Sequence, residues 1–160
     1  MIFVAVGTQK FQFDRLLKAI DVLIDDGLLD EEVYAQIGYS NHVPEHYHFD
    51  KMMDKSKYAS MIKKCDLLVT HSGVGTIVLG LKYSKPVIVV PRLKRYGEHI
   101  DDHQIQIADA FSDRNLVLKC EDTEDLIASI KEARSHRFDR YISKNDVVIR
   151  EIESFLSGLG

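Results

Sequence analysis

Two short apolar runs, Leu67 to Val69 and Val87 to Val90, flank a glycine-bearing turn, His71-Ser72-Gly73-Val74-Gly75-Thr76, and this arrangement constrains the fold more than any other part of the chain. Both runs are β-branched and unalternating, as strands are when a parallel sheet is covered on both faces. From the turn to Tyr83 the chain is apolar over a helical length, so the stretch reads as strand, turn, helix, strand. Glycines at the exit of a buried strand let the backbone approach a ligand closely, and the helix that starts there offers unpaired N–H groups and a positive dipole end. The turn is therefore a candidate diphosphate cradle.

After the second run comes a long polar loop, Pro91-Arg92-Leu93-Lys94-Arg95-Tyr96-Gly97-Glu98-His99, at the carboxyl end of a central strand. Ligands of open parallel sheets sit at that end, and two neighbouring donor-rich loops make a site there. The 160 residues, 45% hydrophobic and 29% charged, fit one globular domain, and a net charge of −4 argues against a nucleic-acid partner. Cys65 and Cys120 lack a C-x-x-C spacing and read as small buried hydrophobes in a reducing, cytoplasmic setting. No apolar run approaches the roughly 20 residues of a membrane span, and Met1 to Val6 is too short and lacks the basic start of a signal peptide.

The rest of the chain repeats the same grammar. Ile2 to Val6 predicts a buried strand ended by Gly7-Thr8, and Phe13, Leu16, Leu17, Ile20, Leu23 and Ile24 form one helical stripe stopped at Gly27. Thr8 and Gln9 read equally as turn chemistry or as donors lining the shared cleft. Val33 to Ile37 predicts the next strand, Tyr47 to Phe49 a short one, and Lys57 to Lys64 a helix. His42, His46 and His48 lie near one another, but no cysteine or carboxylate pattern completes a metal-ligand set. Further expectations are a helix from His103 to Phe111, a last strand Leu116 to Leu118, a helix through Leu126, Ile127 and Ile130 capped by Asp122, and a final helix from Asp146. Strands alternating with helices, without a linker or repeat, predict a single α/β domain: Rossmann-like, doubly wound around a mainly parallel sheet, over residues 1–160.

Four segments in order, MIFVAVGTQKFQFDRLLKAID, AQIGYS, HSGVGT and KPVIVVPRLKRYGEHIDDHQ, resemble the carboxy-terminal half of family 28 glycosyltransferases. The likeness is strongest to the small donor-binding subunits of split enzymes, among them bacterial capsule and exopolysaccharide β-1,4-galactosyltransferases and the eukaryotic transferase acting on dolichyl-diphosphate. The resemblance implies half of a GT-B enzyme, whose donor-sugar domain works against a second domain. It implies a UDP-sugar donor, a lipid-linked saccharide acceptor, and a membrane-anchored acceptor-binding subunit that recruits this chain to the inner face of the membrane. Matched residue by residue, Ser72, Gly73, Gly75 and Thr76 correspond to the diphosphate turn, Gly7 and Thr8 to the first cleft loop, and His103 and Gln104 to the polar pair facing the donor sugar. Many relatives hold the ribose with a glutamate on the helix after the glycine turn. Leu79 occupies that position here, leaving Glu98 or Asp101 as candidates for the task.

Transfer requires stabilisation of the departing UDP and a base near the acceptor oxygen. Amides of Gly73 to Thr76, a helix dipole and a cation from Arg92, Lys94 or Arg95 suffice for the first, so neither a metal ion nor another cofactor is expected. Glu98 and His99 are the candidate acid–base groups on a loop that reads as solvated. Two rival readings remain open in the residues. Glu98, His99, Asp101, Asp102 and His103 form a possible hydrolytic metal site, although their order is not H-E-x-x-H. Alternatively the chain is a non-catalytic nucleotide-binding subunit that activates a partner transferase.

Overall fold

The structure, a computed structural model, describes residues 1–142; the helix expected from Asp146 lies outside them. Six strands form one sheet: β1 (Ile2–Ala5), β2 (Val33–Gln36), β3 (His48–Asp50), β4 (Leu67–Thr70), β5 (Val87–Val89) and β6 (Leu118–Lys119). Their order is β3-β2-β1-β4-β5-β6, and every neighbouring pair is parallel. Five α-helices return the chain: α1 (Asp14–Asp25), α2 (Lys55–Lys64), α3 (Val74–Lys82), α4 (His103–Ser112) and α5 (Leu126–Ser135).

The unalternating strands are explained by two cores, one on each face. Ile2, Val4, Leu67, Val69 and Ile88 pack under Leu16, Leu17 and Ile20 of α1 and Leu126 and Ile130 of α5. Phe3, Ala5, Leu68, Val87 and Val89 pack under Ile62 of α2, Ile77 and Leu81 of α3 and Ile107 and Phe111 of α4. Side chains alternate between faces along each strand, so both sets must be apolar when both faces are covered. The α3 layer lies close to the sheet because Gly80 has no side chain; a Cβ there would stand 2.7 Å from Leu68 Cδ2.

Most boundaries shift by a residue from the expectations, and two larger shifts have a local cause. α2 starts at Lys55 because Asp54 caps it, accepting the Lys57 amide at 2.7 Å. β6 starts at Leu118, later than the apolar run suggests. Leu116 and Val117 are buried in the core without strand pairing, and Asn115, at φ 57°, turns the chain out of α4 just before them. The histidine-bearing loop after β2 is pinned to α1: Asp21 accepts the amides of Glu45 and His46, with His42 Nε2 2.6 Å from its Oδ2.

The strand order reverses between β1 and β4. Connections from β1 run toward β3 and those from β4 toward β6, so the loops leaving these two strands diverge and open a crevice at their carboxyl ends.

Candidate functional site

A cleft of about 400 Å³ lies at that reversal. Gly7, Thr8 and Gln9 after β1 and His71, Gly73, Gly75 and Thr76 after β4 form its floor, and Gln36, Met53, Lys55 and Tyr58 close it on the β2 side. Of these described wall residues none is acidic and Lys55 is basic.

Each loop is fixed by polar contacts that its local sequence requires. Gly7 adopts φ +84°, a region that favours glycine, and its amide and carbonyl are both bonded to the Gln36 side chain at 2.9 Å. After β4 the backbone passes through Ser72 and Gly73 into α3, whose N terminus carries no side-chain cap and no acidic residue in its first turn. The first amides of a helix have no intrahelical partner, so those of α3 are left for water or an anion at the positive end of the helix dipole. Ser72 Oγ is also buried without a hydrogen-bond partner among the described residues. A Cβ built on Gly75 would meet nothing within 4 Å, which makes that position open space over the cradle.

His71 is the residue that sequence reasoning passed over. Its ring is wedged between two glycines: a Cβ on Gly7 would lie 2.5 Å, and one on Gly73 2.6 Å, from its Nε2. The ring's tautomer follows from its neighbours. Gln104 Oε1 accepts the amides of Ser72 (3.2 Å) and Arg92 (2.9 Å), so its Nε2 is the donor and lies 3.3 Å from His71 Nδ1. Nδ1 therefore accepts and the neutral ring carries its proton on Nε2, at the glycine edge of the cleft. Burial pushes the His71 pKa down to about 3, assisted by the charges of Arg92 and His99, so the ring is uncharged at neutral pH. The sequence signal was present, a histidine directly between a buried strand and a glycine turn. Tyr58 and Lys55 carried none, since they reach the cleft from α2; Tyr58 does so through its hydroxyl, 2.6 Å from Thr76 Oγ1.

The structure brings Gly7, Thr8, Gly73, Gly75 and Thr76 together in the wall and sets the other expected site residues behind or beside it. Ser72 and Gln104 are buried, and Gln104 acts as the polar staple just described. Arg92 is fully buried: its guanidinium donates to the carbonyls of Val6, Phe11, Gln12 and Glu98 and lies 5.0 Å from the Phe13 ring centroid. It ties the loops after β1 and β5 together, while Lys94 and Arg95 remain exposed. Glu98 corrects the expectation of a solvated loop. It is fully buried, with Arg15 Nε and Nη2 each 3.0 Å from a carboxylate oxygen and the Leu93 amide at 2.9 Å. The Glu98 carboxylate is therefore taken up by the scaffold and is not free for ribose or for proton transfer. Leu79 packs toward the α2–α3–α4 core instead of the cleft. His99, Asp101 and His103 form a separate cluster, with Asp101 between the two rings. Among the described residues no group of three or more His, Cys, Asp or Glu is placed to hold a metal ion.

A parallel 3-2-1-4-5-6 sheet flanked by helices is a Rossmann-like α/β fold, and solved glycosyltransferase structures share it. A Streptomyces sp. SF2575 glycosyltransferase, SsfS6, solved with thymidine diphosphate, matches with a TM-score of 0.58 at 17% identity, over 98% of this chain and 37% of that one. The solution structure of ALG13 matches with a TM-score of 0.59 at 19% identity, over 94% of this chain and 93% of that one. The profile of the glycosyltransferase family 28 C-terminal domain matches residues 1–153, and the chain belongs to that family. The UDP-N-acetylglucosamine transferase subunit ALG13 of Saccharomyces cerevisiae is 34% identical over 84 residues, 51% of this chain and 40% of that protein. The chain thus spans less than half the length of this curated relative.

Proposed function

We propose that this chain is the UDP-sugar-binding catalytic subunit of a two-subunit inverting glycosyltransferase, which adds a hexose such as galactose or N-acetylglucosamine to a lipid-linked saccharide in capsule or exopolysaccharide synthesis. One observation carries the reading: the uncapped N terminus of α3 and the Nε2–H of a neutral His71 meet at a cleft whose described wall has no acidic side chain. Such a set of donors suits paired phosphates. The family membership, the name of the yeast relative and the nucleotide diphosphate in the SsfS6 structure support it.

In this reading the acceptor oxygen bonds to the anomeric carbon as that carbon's bond to the diphosphate breaks. The electron pair leaves with UDP, whose charge is met by the α3 amides and His71. The hydroxyl proton passes to Nε2 of His99, since Glu98 is held by Arg15. Among the described residues no helix is long and apolar enough to cross a membrane. A membrane-anchored partner would supply the acceptor site and close the cleft.

Gly75→Val tests the cradle. The side chain would enter open space, and Gly75 lies in the first turn of α3, so folding stability should change by less than about 1 kcal/mol. UDP affinity by titration calorimetry should fall at least about tenfold, a loss of about 1.4 kcal/mol. Unchanged affinity rejects the assignment. With membranes holding the partner, radiolabelled UDP-sugars should label lipid only when both subunits are present; full turnover by the isolated chain counts against the split arrangement.

A further inference from the structure

Asp101 sits between two histidines on the loop that leads into α4. Its Oδ1 lies 3.0 Å from His99 Nδ1 and its Oδ2 2.8 Å from His103 Nδ1. The His103 amide donates to Oδ1 as well, at 3.1 Å, which fixes the carboxylate against the first residue of α4. The two rings meet edge to face at 5.7 Å, and the Phe11 ring backs His99 at 5.7 Å from the loop after β1. His99 is mostly covered, with 12% of its side chain exposed, against 27% for His103.

A carboxylate offers only acceptors, so a bare Nδ1 lone pair at these distances would face another lone pair. The competing arrangement has His99 Nδ1 accepting the Asp101 amide, but that contact is 3.4 Å long and would leave the 3.0 Å contact repulsive. We propose that Asp101 is a positioning residue which holds both His99 and His103 as Nδ1–H tautomers, leaving Nε2 of each ring as its proton acceptor. The proposal rests on the transferase reading given above, in which His99 receives the acceptor proton. Once His99 Nε2 takes that proton, the imidazolium charge lies against the Asp101 carboxylate, and a single carboxylate serves two rings. The same loop thereby gains a second acceptor at His103, outside the cleft wall.

Asp101→Asn separates this arrangement from a merely structural one. An amide has one accepting and one donating atom, so the variant can keep at most one ring as the Nδ1–H tautomer and must drive the other to Nε2–H. Long-range proton–nitrogen correlation spectra of the chain labelled with ¹⁵N-histidine, taken at about pH 8, read the tautomers directly; His99→Gln and His103→Gln assign the signals. The expected result is Nδ1–H for both rings in the wild type and a switch of one ring in Asp101→Asn. Either ring found as Nε2–H in the wild type, or no switch in the variant, overturns the proposal. In the assembled transferase Asp101→Asn should lower kcat about tenfold while KM for the UDP-sugar stays within about twofold; an unchanged kcat with switched tautomers also overturns the positioning role. Absence of UDP binding by the wild type would instead reject the transferase reading, and the spectra register the tautomers independently of it.

Discussion

Glu98→Ala is expected to lower folding stability by about 3–5 kcal/mol, because it strips Arg15, whose side chain is only 14% exposed, of its fully buried partner. The carboxylate is wholly covered, and both oxygens accept from the Arg15 guanidinium at 3.0 Å in a fork that also has the Leu93 amide on one side. Arg15 cannot turn to water without giving up its bonds to the Glu121 and Pro91 carbonyls and its place 4.9 Å over the Tyr96 ring. Glu98→Gln should cost less, since one oxygen can still accept. The double variant Arg15→Met/Glu98→Ala should cost less than the sum of its single changes by about 0.5–3 kcal/mol, as expected for groups that form one unit. Urea denaturation of the wild type, the three single variants and the double variant measures all of this; a loss below about 1 kcal/mol for Glu98→Ala would mean the pair behaves as a solvated surface contact. The consequence reaches the site, because the Glu98 carbonyl also accepts from Arg92, which holds the loop after β1. A folding defect here would otherwise be mistaken for lost catalysis.

The sheet was legible in the sequence because both its faces are covered. Ile2 to Val6, Leu67 to Val69 and Val87 to Val90 are unbroken apolar runs, and the helical stripe of α1 lies where periodicity put it, whereas Asp122 caps the short 3-10 turn Thr123–Asp125 ahead of α5 and not α5 itself. The cleft floor was legible for a related reason. A glycine after β1 and glycines after β4 mark the two loops, and the strand order makes those loops neighbours. What the sequence misplaced was the loop after β5. YGEHIDDHQ reads as solvated by composition, yet Glu98 finds its partner 83 residues away on α1, and no local pattern announces a pairing at that range. Gln104 is likewise polar and near the ligand side of the sheet, but two backbone amides claim its oxygen. In both cases tertiary contacts decide whether a polar side chain serves the ligand or the scaffold.

His71 makes the opposite case, a buried residue in the cleft wall with a measurable electrical signature. Its folded pKa of about 3 lies below the ordinary 6.5, chiefly through burial, so the unfolded chain binds one more proton than the folded one between those values. Stability contributed by the neutral ring is complete above pH 6.5 and is lost as pH falls toward 3. By about pH 4.5 this single group should have removed about 2–3 kcal/mol. His71→Gln has no such titration, so its stability should fall less steeply over the same window, with the two curves converging as the pH drops. Denaturation at a series of pH values, taken as the difference between variant and wild type, isolates the group from the carboxylates that titrate nearby; parallel curves would reject the buried neutral ring. UDP adds a second handle. On the proposed reading two phosphates beside Nε2 favour the charged imidazole, so bound UDP should raise the folded His71 pKa toward 6.5, which narrows the pH window of the loss and makes the loss smaller, beyond what ligand binding alone contributes. A wild-type curve that moves with UDP and a His71→Gln curve that rises without changing slope would tie the proton on this ring to the anion in the cleft.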